Sequence, residues 1–434
     1  MSCLTTLWSF ACDSFPQQPK LKYNNREHMQ FYLPNFEDLV DPEYDFEKDD
    51  YSPKRTLNGR FHHDKYGHEF YPEPIFDGML VSKTVIKPSV EKRIQASGDV
   101  HSFFRLNKKV PIMGDCGAFS YLNKENPPYT VPEILNYYET LGFTYGVALD
   151  HLIFPAMPEG ERRRRLKITL DNAQEFLHKR NTSNYEVIPV GIVQGWDAES
   201  RRDTIQQLLD MGYDHLAIGG MARSKDPEII QTLQAIHPLL QKNGRVQMLH
   251  LFGVARLTLI PELIRYGVTS ADSASPMRRA FLGTSEDNYW TTQETRYAAI
   301  RVPEVKVNAA KKRGVASTDE IMARNGVTVG EMKAMEQNIL RLLRAYDVGE
   351  GELEETLKAV LTYDELHGDK RDHEAAYRRT LTDKAWQQCG CPICEEWSIE
   401  VIIFRGNNRN RRRGFHNCYV FYQQFQERVK RETK

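Results

Sequence analysis

No apolar run in this 434-residue chain approaches the roughly 20 residues a membrane-crossing helix needs, so a helical membrane span is not expected. An excess of either charge is also missing. Lys and Arg number 58 against 59 Asp and Glu, a formal net charge of -1. General attraction to nucleic acid is thereby excluded, and any such binding must come from local patches. No P-loop pattern links the chain to triphosphate hydrolysis, and there is no internal repeat or low-complexity tract. The segment Met1–Cys12 is mildly apolar but has no basic leader, so a signal peptide is not expected and the cytoplasm is the expected compartment. Cysteine is sparse and odd in number, with seven residues of which four lie near the C-terminus. That pattern argues against a secreted disulfide framework and for a metal site in a reducing compartment.

What is present is a globular composition, 40% hydrophobic and 11% aromatic, with a recurrent local pattern. Short apolar runs end on a polar group or a glycine. Pro111-Ile-Met-Gly-Asp115 is the first, followed by Tyr145-Gly-Val-Ala-Leu-Asp150, Val187–Gln194, His215-Leu-Ala-Ile-Gly-Gly220 and Val268-Thr-Ser-Ala-Asp272. Helical segments such as Ala198–Met211, with Ile205, Leu208 and Leu209 at helical spacing, separate them. Apolar strands alternating with helices predict a parallel sheet buried on both faces. The fold class expected is α/β, a TIM-like (β/α)8 barrel with a helical insertion and a C-terminal zinc-binding subdomain. Seven strands are visible between Met79 and Ala271, one short of closure. In a closed barrel, three carboxylates, an amide and a glycine pair converge on one mouth.

The expected organisation is an N-terminal lead-in over 1–75, the barrel over 76–282, a helical insertion over 283–388 and an Arg-rich zinc module over 389–434. Within the lead-in, residues 1–28 show no periodicity and read as a disordered or alternative-start extension, whereas Met29-Gln-Phe-Tyr-Leu-Pro34 reads as a strand. Residues 37–50 carry eight acids and read as a solvated acidic loop. In the insertion, Thr328-Val-Gly-Glu331 fits a capping box, and Met332, Met335, Ile339, Leu342 and Leu343 give the helix behind it a core-facing stripe.

Cys389-Gly-Cys391-Pro-Ile-Cys394 with the distant His416 makes a Cys3His set suited to a closed, structural Zn2+ site, with Cys418 as the alternative fourth ligand. Between these ligands stand Arg405, Arg409, Arg411, Arg412 and Arg413, read as a basic loop making phosphate contacts with nucleic acid. The run Arg162–Arg165 reads as an ordinary solvated helix face.

With these elements in this order, the chain resembles the tRNA-guanine transglycosylase superfamily, and within it the DNA 7-deazaguanine transglycosylases (DpdA-type). The motifs are Gly114-Asp-Cys-Gly-Ala-Phe119, Leu149-Asp-His151, Gly191-Ile-Val-Gln-Gly195, Ala217-Ile-Gly-Gly220, His250-Leu-Phe-Gly253 and Ala271-Asp-Ser-Ala-Ser-Pro276. The resemblance covers residues 111–282 and 389–418. It implies exchange of guanine in DNA for a 7-deazaguanine, with 7-cyano-7-deazaguanine as the base expected. Asp272 would be the nucleophile that holds the sugar covalently and Asp115 the general acid and base. Asp150 would bind the amidine edge of the base, Gln194 with the Gly219 and Gly220 N–H groups its carbonyl oxygen, and Phe119 and Phe252 its two faces. The chain departs from the queuosine enzymes after the glycine pair, where it reads Met-Ala-Arg-Ser224. A flipped guanine has to leave the stack, so the resemblance also implies a separate ATPase or helicase-like partner. The alternatives are a transglycosylase acting on tRNA and a non-catalytic, zinc-bearing nucleic-acid-binding subunit. A sugar hydrolase on the same barrel would leave the cysteine cluster unexplained.

Overall fold

The computed structural model describes residues 29–35, 38–283, 286–306, 317–368 and 371–433. The extension expected over 1–28 lies outside them. Eight parallel strands close into a barrel. They are β1 (Gln30–Pro34), β2 (Gly78–Ser82), β3 (Ile112–Asp115), β4 (Tyr145–Val147), β5 (Ile188–Val193), β6 (His215–Ile218), β7 (Met248–Leu251) and β8 (Ser270–Asp272). The missing eighth strand is β1. Its Tyr32 registers with Gly78 on one side and Asp272 on the other, sealing the barrel. The barrel therefore begins at Gln30, and the boundary expected at residue 76 is corrected.

Side chains alternate across every strand, as the pleat demands. Tyr32, Leu80, Met113, Tyr145, Val147, Val190, Ile192, Ala217 and Met248 fill the barrel interior as one cluster. Their neighbours Phe31, Met79, Val81, Ile112, Leu216, Ile218, Leu249 and Ala271 point outward into the layer shared with the helices.

That outer layer is built from α1 (Pro88–Ala96), α2 (Val131–Leu141), α3 (Glu159–Thr182), α4 (Ala198–Met211), α5 (Asp226–Asn243), α6 (Ile260–Arg265) and α7 (Ser275–Phe281). Their ends follow local chemistry. In α4, the Asp197 carboxylate caps the Ser200 N–H, and Gly212 at φ 104° terminates the helix. The face that the sequence marks, Ile205, Leu208 and Leu209, is buried.

Beyond the barrel come α8 (Thr318–Asn325), α9 (Val329–Asp347), α10 (Leu353–Leu366), α11 (Glu374–Asp383), α12 (Pro392–Trp397) and the 28-residue α13 (Gly406–Thr433). The capping box at Thr328 and Glu331 opens α9, and Met332, Ile339, Leu342 and Leu343 are buried. The helices between β1 and β2, Pro53–Asn58 and Arg60–His63, are short, and the outward Phe31 of β1 packs on Phe421 and Phe425 of α13, with ring centroids 4.8 and 5.7 Å away. The last helix of the chain thus covers the first strand of the barrel.

Candidate active site and metal centre

Because β3, β5 and β8 each keep an inward row, that row ends at the strand C-terminus on a polar side chain. After Met113 comes Asp115, after Ile192 comes Gln194, and after Ser270 comes Asp272. Asp150 follows β4, past a change of direction that puts Ala148 and Leu149 in the outer layer. The structure brings all four to the C-terminal mouth of the barrel.

Asp115 is partly open at the mouth and accepts the Gly117 N–H at 3.1 Å. Desolvation, reinforced by the negative charge of Asp150 and then of Asp272, pushes its pKa up to about 7, against the opposing hydrogen bonds from Gly117 and Ser82. Asp150 is buried, and both of its oxygens are engaged. Oδ1 accepts the Cys116 thiol at 3.1 Å, and Oδ2 accepts the Gln194 amide Nε2 at 2.6 Å. Burial raises the Asp150 pKa in spite of those two bonds. Burial and the nearby carboxylates likewise hold Cys116 well above the usual thiol range, so it stays protonated and donates. Tyr121 completes the bracket, giving its hydroxyl to the Asp150 carbonyl at 2.9 Å.

The Gln194 side chain is fully buried, and its Oε1 has no partner among the described residues. The glycine pair exists partly for its sake. A Cβ on Gly219 would stand 2.5 Å from the Gln194 Nε2, and one on Gly220, at φ 75°, would meet Oε1 at 3.3 Å. The pair makes room for the amide as well as letting backbone approach a ligand. On the opposite side of the mouth, Asp272 accepts the Gly253 N–H at 2.8 Å and His250 Nε2 at 3.2 Å, both on Oδ1. Its Oδ2 has no hydrogen bond among the described residues. Phe252 is half-buried, packing edge-on against His250 with centroids 4.7 Å apart. Phe119, on the turn after β3, is 56% exposed, the unusual state for a large aromatic side chain. A cavity of about 480 Å³ opens next to Asp272, lined among others by Gly253, Ser273, Ser275, Arg256, Arg279 and Arg296.

Cys389, Cys391, Cys394 and His416 form the second cluster, with their ligand atoms all within 4.8 Å of one another. The three sulfurs lie 3.7, 3.4 and 3.3 Å from His416 Nδ1. Tetrahedral coordination by soft ligands produces such spacings, so the residues fit a closed metal site. His416 Nε2 lies 2.7 Å from the Trp290 carbonyl and Tyr289 stacks on the ring at 4.1 Å, which turns Nδ1 towards the thiolates. Cys418, the alternative ligand, is buried but outside the cluster.

The arginines contradict the expectation of a nucleic-acid-binding loop. Residues 406–433 are helical, and Arg405, Arg409, Arg412 and Arg413 are all no more than 5% exposed. Arg405 pairs with Glu336 at 2.6 Å and with Asp49. Arg409 pairs with Glu400 at 2.6 Å and also with Asp49. Arg411 holds the Leu39 carbonyl at 2.7 Å and Asp38 at 3.3 Å. Arg412 donates to the Asp41 carbonyl at 2.7 Å, and Arg413 to the carbonyls of Val401, Ile403 and Ala280 at 3.1 Å or less. They are struts, and the acid-rich stretch read as solvated supplies part of their counter-charge, through Asp38 and Asp49. Charge pattern alone cannot distinguish a basic loop from a helix whose acids come from elsewhere in the chain. Two other participants, His250 and Cys116, were not singled out from the sequence. The inward parity Met248, His250, Phe252 was the available signal.

The comparisons with known proteins agree with this layout. The family model described as TGT, queuine tRNA-ribosyltransferase, matches residues 78–295. A DNA-guanine transglycosylase of Salmonella montevideo is 40% identical over 422 residues, covering 92% of this chain and 97% of the relative. A queuine tRNA-ribosyltransferase of Idiomarina loihiensis is 26% identical over 43% of this chain and 54% of its own length. One from Acinetobacter baumannii is 27% identical over 45% and 56%. A closed barrel whose mouth gathers Asp115, Asp150, Gln194 and Asp272, joined to a cysteine–histidine cluster and matched nearly end to end by such a relative, places this chain in the tRNA-guanine transglycosylase superfamily of pentosyltransferases, close to the DNA-guanine transglycosylases.

Proposed function

We propose that the protein exchanges guanine in DNA for a 7-deazaguanine, 7-cyano-7-deazaguanine being the base expected. The observation that carries the DNA reading is the extent of the match. The Salmonella relative aligns over 97% of its own length, whereas the tRNA enzymes named above align over about half of theirs.

The chemistry runs in two displacements on one sugar carbon. Asp272 Oδ2 attacks C1′ as the C1′–N9 bond of guanine breaks, and Asp115 supplies the proton that guanine takes with it. The incoming base then gives its N9 proton to Asp115 while N9 displaces the carboxylate from C1′. An acid whose pKa stands at about 7 suits both directions. Asp150 still has a lone pair on each oxygen after serving Cys116 and Gln194, enough for the two donors of an amidine edge. The second hydrogen of the Gln194 amide, with the Gly220 N–H, serves the carbonyl oxygen, because the Gly219 N–H is given to the Val193 carbonyl at 3.0 Å. Phe119 and Phe252 hold the faces of the ring, and the groove beside Asp272 takes the neighbouring sugar-phosphate in place of the buried arginines. Cys389, Cys391, Cys394 and His416 hold a structural Zn2+, whose contribution is to clamp the Cys turn to α13. The protein acts in the cytoplasm, and a separate ATPase or helicase-like partner opens duplex DNA for it.

The test offers purified protein single-stranded DNA, duplex DNA and tRNA, each with 7-cyano-7-deazaguanine, and follows released guanine. Exchange in DNA that disappears in Asp272→Ala is the expected result. Exchange in tRNA alone replaces the reading with the RNA one, binding without exchange on any substrate points to a non-catalytic subunit, and efficient exchange on duplex by the protein alone removes the partner.

A further inference from the structure

We infer that His250, together with the Gly253 N–H, forms a two-donor clamp on Asp272 Oδ1 that selects Oδ2 as the attacking atom and supports the carboxylate as it leaves C1′. The inference rests on the exchange reading above and assigns a positioning residue to it.

The two oxygens of Asp272 are not equivalent. Oδ1 receives the Gly253 N–H at 2.8 Å and His250 Nε2 at 3.2 Å. Oδ2 receives nothing from the described residues. Each donor is held from behind. Gly253 is at φ 70°, and a Cβ there would lie 2.7 Å from the Ala222 Cβ, so its N–H direction is fixed by a backbone shape other residues adopt poorly. His250 is fully buried inside the barrel, edge-on to Tyr32 at 5.5 Å and to Phe252 at 4.7 Å. Its Nδ1 lies 2.9 Å from the Ser270 hydroxyl. A hydroxyl donating to Nδ1 leaves the proton on Nε2, the atom that faces Asp272. Ser270 and Asp272 share the inward row of β8, so one strand carries both the carboxylate and the group that sets the tautomer of its donor.

The consequence lies in the covalent stage. Once the Oδ2–C1′ bond has formed, Oδ1 is the carbonyl oxygen of a glycosyl ester. When N9 of the incoming base attacks C1′, the C1′–Oδ2 bond breaks and its electron pair returns to the carboxylate. Negative charge then develops on Oδ1, already facing two oriented donors, which is where preorganised hydrogen bonds act most strongly. The clamp moves no proton and needs no co-reactant.

The test uses the full-length protein with single-stranded DNA, so that strand opening plays no part. His250→Phe keeps a ring and removes the donor, while His250→Gln restores an N–H near the Nε2 position. The expected result is a fall in kcat of roughly 10²-fold for His250→Phe, typical for loss of one such donor, with KM for the base nearly unchanged. A larger fraction of the enzyme should be trapped as the covalent DNA adduct at steady state, and His250→Gln should recover at least a tenfold share of the rate. Should His250→Phe fail to fold, Ser270→Ala carries the same prediction at smaller amplitude, because it unsets the tautomer. Exchange by the wild type with kcat in these variants within twofold overturns the clamp alone. So does a loss of rate with the adduct fraction unchanged and Gln no better than Phe. A wild-type protein that forms no adduct on DNA or tRNA overturns the exchange reading, and the clamp with it.

Discussion

Asp115 ends an apolar strand where water is scarce and two further carboxylates are close, and this environment has a cost in stability as well as a use. Its folded pKa of about 7 stands well above the roughly 3.9 of a free aspartate. The folded state therefore binds the proton more tightly than the unfolded chain does. That contribution is whole below about pH 4 and is lost as pH rises through about 7. Asp115→Asn removes the charge and with it the penalty. The expected outcome is a variant more stable than wild type by on the order of 2 kcal/mol at pH 8, indistinguishable from it near pH 4, and without exchange activity. Urea unfolding at the two pH values checks it. Single-turnover guanine release should fall as pH rises through 7, since it needs the protonated acid, and base incorporation should fall as pH drops below 7. Most of these residues were legible in the sequence, because an inward row that ends on a carboxylate is a chemical anomaly at a strand end. His250 was not, since a histidine beside Leu251 and Phe252 reads as core until the strand's parity is set against Asp272.

At the scale of elements, the arginine-rich start of α13 is where sequence and structure part. Five guanidinium groups in nine residues read as a basic surface, yet Arg405, Arg409 and Arg411 are neutralised by acids from residues 38–49, from Glu336 in α9 and from Glu400, and Arg412 and Arg413 are held by backbone carbonyls. No local pattern reports a partner hundreds of positions away. The chemistry of the buried pairs predicts the phenotype. Arg409→Ala removes the cation shared by Asp49 and Glu400, leaving Arg405 on the first and Arg344 on the second, so the loss is expected at the low end of what breaking a buried pair from one side costs, about 3 kcal/mol. The variant should unfold at markedly lower denaturant, while the salt dependence of DNA binding by whatever remains folded is unaltered. A steep loss of DNA affinity at full stability would restore the surface reading. Helices with their own caps, such as α4 and α9, were legible almost to the residue, because capping is local. Strand β1 was legible as a strand and not as a barrel member, since its covering helix lies at the other end of the chain.

For the molecule as a whole, that same helix is the joint on which the architecture closes. It carries His416 to the cysteine turn, Arg405 and Arg409 lie at its start, and Phe421 and Phe425 press on β1. Tyr422 adds a hydrogen bond of 2.7 Å to Asp77, just ahead of β2. A metal held at the Cys3His cluster would thus act on the active site although none of its ligands belongs to it. Clamping His416 holds α13, α13 holds β1, and β1 pairs with β8, whose last residue is Asp272. Removing the metal should therefore weaken the barrel seam and the chemistry together. Isolated zinc sites contribute on the order of 10 kcal/mol to folding, and part of that is expected here because barrel packing supports the helix independently. Treatment with a strong chelator, or the substitution His416→Ala, should lower the melting temperature and abolish covalent adduct formation. Hydrogen exchange should rise first in β1 and α13, with β4 to β6 still protected. Adduct formation at the wild-type rate in fully demetallated protein would show that the seam stands without the clamp.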